Sequence, residues 1–148
     1  MNITISIEST LKQVYALSAL NSFLTQNADA AKPFLSSDNK QAMLPLLNEA
    51  LSFVAVDLIP HIAILTPPNL LDDIIEIDLR CQSLPQGAVN ILESALAMRM
   101  LQIIYAPISD TTARNYGDLG TAATRNFLTL VNSENAGSPL VSITPSLH

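Results

Sequence analysis

One cysteine, Cys81, is all the thiol chemistry in this 148-residue chain. A lone cysteine closes no intrachain disulfide and builds no thiolate metal cage, so a cytoplasmic origin is the simplest reading. Glycine is also scarce. Gly87, Gly117, Gly120 and Gly137 are the four present, and their spacing matches no phosphate-cradling loop. The seven cations, Lys12, Lys32, Lys40, Arg80, Arg99, Arg114 and Arg125, are scattered along the sequence. Gripping nucleic acid takes clustered cations that displace counterions, so direct DNA or RNA binding is not expected. Besides His61 there is only His148, which leaves no His-based metal site in view. The stretch Met1–Glu8 lacks the basic region and apolar run of a signal peptide. The longest apolar stretches are interrupted by Glu49, Asp57, Pro60 and His61, or by Glu93, Arg99 and Gln102. Neither reaches the roughly 20 unbroken apolar residues of a membrane span, so no membrane partner is expected.

What the chain does have is apolar mass. Apolar residues make up 49% and charged residues only 14%, with a formal net charge of −6. Ordinary domains carry about 25% charge. So little charge on a chain of one-domain length implies that part of its surface does not face water. The mass is concentrated in two long segments with helical periodicity, about Asn39–Leu65 and Gln86–Ala106, each closed by proline. Between Ala88 and Tyr105 only Asn90, Glu93, Ser94, Arg99 and Gln102 are not apolar. A helix that apolar must be covered on more than one side. With few elements available, neighbouring subunits are expected to contribute.

Around these two segments the sequence places smaller elements. Ile3, Ile5 and Ile7 alternate with polar residues and read as a strand, as do Ile75, Ile77 and Leu79. Two strands in a helical chain are expected to pair with each other, because each alone has unsatisfied backbone groups. Such a ribbon is marginal by itself and open to a strand from a neighbour. Ser9 or Thr10 is expected to cap a first helix over about Leu11–Gln26, with Leu11, Val14, Leu17, Leu20 and Leu24 on its apolar face. Asp38 with Gln41 resembles a capping box for the second helix. Pro45 should kink that helix and Pro60 loosen its last turn. Ser83 is expected to cap the third helix and Asp110 or Thr111 the fourth, which reaches about Val131. Gly117 and Gly120 weaken the fourth helix by about 1 kcal/mol each relative to Ala. Its apolar face is Leu119, Ala122, Ala123, Phe127 and Leu130. The expected architecture is therefore all-α: a four-helix bundle-like single domain over residues 1–132, a two-stranded ribbon, and an extended C-terminal arm over 133–148. That last segment is either a mobile tail or an arm that lies on a partner; Leu140, Val141, Ile143 and Leu147 are apolar side chains that a purely solvating tail does not need.

Few residues suggest chemistry. Asp57 and His61 are four apart, the spacing of an oriented general base, but no nucleophile motif accompanies them. Asp72, Asp73, Glu76 and Asp78 form an acidic cluster without the spacing of a calcium loop, and alternation along a strand would split them between faces. No catalytic residue, cofactor or metal is expected. Arg99 is the charge that calls for explanation. Helical periodicity sets it opposite Asn90, Glu93 and Ser94, so it points into protein if that trio faces water. A buried Arg needs an acidic partner, and Asp57 and Glu49 on the other long helix are the candidates.

The segments LLNEALSFVAVDLI (46–59) and LPQGAVNILESALAMRMLQIIYA (84–106), following a first helix in a small acidic chain, make the layout over about Ser9–Ala106 resemble the head–tail connector, or head-completion, proteins of tailed bacteriophages. The resemblance implies a helical bundle that forms a ring below the portal, with terminal or loop segments reaching onto neighbours. It implies a structural virion protein, assembled in the bacterial host cytoplasm, whose partners are copies of itself and portal or tail components. No catalytic residues carry over. The residues expected to mediate interaction are Ile3, Ile5, Ile7, Arg99, Leu140, Val141 and Ile143. The alternative is a helical binding module that holds an apolar ligand or partner helix between the two long helices.

Overall fold

A computed structural model describes residues 1–25, 40–67 and 72–136. Asp38 and the arm residues Leu140, Val141, Ile143 and Leu147 lie outside the described residues. The chain order is β1 (Asn2–Ser6), α1 (Ile7–Thr25), α2 (Lys40–Leu58), a 3-10 turn (Ile59–His61), β2 (Ile62–Leu65), β3 (Ile74–Leu79), α3 (Ala88–Tyr105) and α4 (Asp110–Ala136). The chain is thus mostly helical with a small antiparallel sheet, not all-α.

That sheet has three strands in the order β1-β3-β2, not two. The expected pair is present, with Ile3 opposite Ile77 and Ile5 opposite Ile75. The third strand comes from the end of the segment read as helix to Leu65. Pro60 has no N–H to donate and its ring crowds the preceding turn, so α2 stops at Leu58. The β-branched Ile62 and Ile64 then favour extended backbone. Ile62 pairs with Leu79 and Leu65 with Ile77, with a register irregularity between Ile62 and Ile64.

β1 runs into α1 without a loop. Ser6, not Ser9 or Thr10, is the cap: its Oγ accepts the Ser9 N–H at 3.1 Å. The other free amides of the first turn go to Asp73. Its carbonyl accepts the Ile7 N–H at 2.9 Å and its carboxylate the Glu8 N–H at 3.0 Å. A carboxylate there also suits the positive end of the helix. Asp73 takes a left-handed φ of 59°, a conformation Asp tolerates better than most residues. Its second oxygen meets Lys40 at the start of α2, so one residue ties three elements together.

α3 is the central element. It packs against α1, α2, α4 and β1. Leu92, Ala95, Leu96, Ala97, Met100 and Leu101 are fully buried. Its N-cap is Gly87 at φ 93°, with no side-chain cap, so Ser83 does not serve there. α2 covers one flank of α3 with Leu47, Ala50, Val54 and Leu58, all fully buried. By length and composition Lys40–His61 is apolar enough to cross a membrane; 39% of its apolar window is buried inside the chain, and one face is open. α4 lies along α3 and continues through Ala136, past the expected end at Val131. Ser109, whose Oγ accepts the Thr112 N–H, stands where Asp110 or Thr111 was expected to cap. The buried face of α4 is Ala113, Tyr116, Phe127 and Val131, while Leu119 is exposed. Gly117 and Gly120 have a packing reason. A Cβ at Gly120 would lie 3.3 Å from the Met98 Cβ and the Arg99 Cδ, and one at Gly117 2.8 Å from the Gln102 Nε2.

Candidate functional site

Two polar clusters and one apolar stripe stand out. The first cluster is centred on Glu93. Of Asn90, Glu93 and Ser94, the trio set opposite Arg99, Asn90 is exposed but Glu93 is only 4% exposed. Its two carboxylate oxygens accept the Ser6 N–H at 3.0 Å and the Ser9 hydroxyl at 2.9 Å. A buried carboxylate needs such donors. The Ser94 hydroxyl extends the seam by donating to the Gln13 Oε1 at 2.8 Å. This cluster is structural: it fixes the strand-to-helix junction onto α3. Glu93→Ala is expected to cost about 1–3 kcal/mol by stranding the Ser6 amide, with a smaller loss for Glu93→Gln. Urea denaturation measures both; a loss below about 0.5 kcal/mol for the alanine variant would mean water replaces the carboxylate freely.

The second cluster surrounds Arg99, which does point into protein. Its guanidinium donates to the Gln102 Oε1 and the Thr121 Oγ1, both at 2.9 Å. Asp57 is its acidic neighbour at a loose 3.9 Å. Its ion pair is with Asp57, not with Glu49, which is exposed. The guanidinium carbon sits 5.9 Å from the Phe53 ring centroid. Asp57 is 43% exposed, so the pair contributes at most about 1 kcal/mol, and the ring contact about as much. Arg99 therefore holds α2, α3 and α4 in register.

Other candidates separate. α2 ends before His61, so Asp57 and His61 do not share a helix face; Asp57 faces Arg99, and the His61 carbonyl accepts the Arg80 N–H. In the acidic cluster Asp73 is committed to α1 and Lys40. Among the described residues no three His, Cys, Asp or Glu side chains converge as metal ligands. Ile3, Ile5 and Ile7 are at most 4% exposed. Their side chains therefore fill this chain's own core and leave nothing for a partner to touch.

Burial pushes the Tyr116 hydroxyl above its ordinary range, and burial opposed by Lys40 does the same to Tyr15. The Asp73 hydrogen bond raises Lys40. For the tyrosines the unfolded chain ionises first, near pH 10, so stability falls as pH climbs from there. For Lys40 the stabilisation is complete below about pH 10.4 and is lost as pH rises through the higher folded value. Unfolding followed by circular dichroism should therefore set in above about pH 10, together with tyrosine ionisation read in the ultraviolet. Tyrosines that ionise well below the unfolding transition would contradict this.

The apolar stripe is the feature that the sequence did not reveal. Phe53, Val56 and Ile59 are 48%, 64% and 63% exposed. They follow one another at three-residue steps on the outer side of α2 and its terminal turn. Next to them a cleft of about 200 Å³ opens between α2 and α4, lined by Asp57, Thr121, Thr124, Arg125 and Leu128. The signal was available. Pro45, Glu49, Ser52, Val56 and Ile59 recur at steps of three and four, which marks one helix face. Its first members are polar or helix-breaking, and its last two are not. No protein-family model, curated protein or solved structure matches the chain.

Proposed function

We propose that this chain is a structural subunit of the head–tail connector or adaptor kind, which works by binding copies of itself and neighbouring virion proteins such as portal or tail components. The observation that carries the reading is the stripe of Phe53, Val56 and Ile59, three large apolar side chains left open on the flank of a core helix. Contiguous exposed apolar surface of this kind marks interaction sites. A bundle-like set of four helices with a small sheet suits such a role, because it presents a rigid face. The low charge of the chain supports it as well. The reading assigns no catalytic residue, cofactor or metal and no direct contact with nucleic acid or membrane. It places the protein in the virion, assembled in the bacterial host cytoplasm.

Light scattering on a sizing column over a wide concentration range tests this. The chain should form larger species at high concentration or when portal components are added. Val56→Asp should abolish them and move stability by no more than about 0.5 kcal/mol, as for an ordinary surface site. A chain that stays monomeric under all these conditions would remove the reading. The second reading, a module that binds a partner helix, draws on the same stripe, since three-residue steps suit helix-to-helix docking. An apolar ligand between α2 and α3 has less support, because fully buried side chains from both helices already fill that interface.

A further inference from the structure

We infer that the Phe53–Val56–Ile59 stripe of one copy seats on the Leu119 face of α4 in a second copy, a head-to-tail contact between unlike surfaces. Among the described residues, the large apolar side chains left open on helices outside the stripe are Leu20 and Leu119, 52% and 51% exposed. Leu119 belongs to the row Asn115, Leu119, Ala122 and Asn126, whose steps of four, three and four mark one helix face. All four are exposed and none is charged. Helix periodicity sets this row on the far side of α4 from Thr121 and Leu128, which line the cleft beside the stripe. The Tyr116 hydroxyl donates to the Leu17 carbonyl at 3.4 Å, which brings the end of α1 alongside α4 away from that cleft. Leu20 follows Leu17 by one turn and adds to the open apolar surface there.

Two open apolar surfaces on opposite flanks of one molecule are what a repeating contact needs. A stripe paired with the same stripe of another copy would leave the Leu119 row uncovered in both. An unlike contact covers one surface of each copy and leaves the other for the next, closing into a ring or running on as an open chain. The charges match as well. Arg125, on the cleft wall beside the stripe, and Asp118, next to Leu119, are both exposed. Neither belongs to an ion pair among the described residues. They lie seven residues apart on α4, about 10 Å, too far to pair within one chain. Between copies each supplies what the other lacks. Opposite charges at the rim of a contact fix its register more than its strength.

This deepens the proposed function and rests on that reading, since it names the surface that the stripe meets. Two blocked variants test it. Val56→Asp closes the stripe and Leu119→Asp closes the α4 row. Both positions are exposed, so an unchanged melting temperature is expected; Ala122→Asp, on the same row, takes the place of Leu119→Asp if that variant melts early. On a sizing column with light scattering, the natural chain should form species larger than two chains as concentration rises. Each variant alone should need at least about tenfold more protein to associate, because an unpaired carboxylate would be buried in the contact. An equal mixture of the two, at a concentration where each alone is monomeric, should form pairs and nothing larger. The open stripe of one variant meets the open row of the other, and both remaining surfaces are blocked. A mixture that stays monomeric overturns the proposal. So does Leu119→Asp associating as well as the natural chain while Val56→Asp does not; the stripe would then meet another surface, and the proposed function would stand. Natural association by Val56→Asp, or a natural chain that never associates, removes both.

Discussion

Deleting residues 1–7 is expected to leave a chain that aggregates and no longer melts cooperatively. The deletion removes β1, and with it Ile3, Ile5 and Ile7, each at most 4% exposed. Burying an isoleucine is worth about 1.5–3 kcal/mol, so three of them approach the whole stability of an ordinary domain, about 5–15 kcal/mol. The loss is not confined to the core. β3 becomes an open edge with Ile75 and Ile77 uncovered, a template for pairing with other chains. Ser6, the cap of α1, goes too, and Glu93 loses the Ser6 N–H, one of its two donors. Sedimentation and thermal melting followed by circular dichroism read the result. A soluble truncated chain with an unchanged melting temperature would show that β1 is an ornament on an independent helical core.

Leu96→Ala should lower stability by about 2–5 kcal/mol. Leu96 is fully buried at the middle of α3, among Leu92, Met100 and residues from the flanking helices. Because α3 is contacted from several sides, a cavity there cannot collapse by shifting one neighbour, so the cost belongs in the upper part of that range. Denaturant unfolding provides the number. A loss under about 1 kcal/mol would place α3 at the edge of the core instead of its centre.

The strongest periodic signals were the legible ones. Ile3–Ile7 and Ile75–Leu79 alternate, and they pair. The largely apolar run Ala88–Tyr105 forms the central helix. The helix wheel could turn Arg99 inward and name Asp57 and Glu49 as candidate partners; the structure selects Asp57. What failed was decided by partners distant in the sequence. Glu93 looks like a surface residue until Ser6 and Ser9 arrive to use its oxygens. Ser9 looks like a cap, but Ser6 takes that role because Asp73 and Glu93 hold the preceding strand right up to the first turn. β2 was hidden because Ile59–Leu65 continues the apolar character of α2. Only the geometry of Pro60 divides helix from strand. On α4 Phe127 lies on the buried face as its periodicity predicts, but Leu119 is exposed and Ala113, Tyr116 and Val131 complete that face. The outer stripe of α2 was missed because apolar composition counts residues without saying which side they face.

The junction of β1 and α1 has a consequence for the order in which the molecule is made. Ser6 is matched to Glu93 across 87 positions, and Glu8 to Asp73 across 65. On the ribosome the first strand is finished long before any of the residues that hold it exist. Closing so long a loop costs entropy before any contact repays it. Three isoleucines are therefore carried uncovered through most of synthesis, and the fold closes at its beginning only after α3 has emerged.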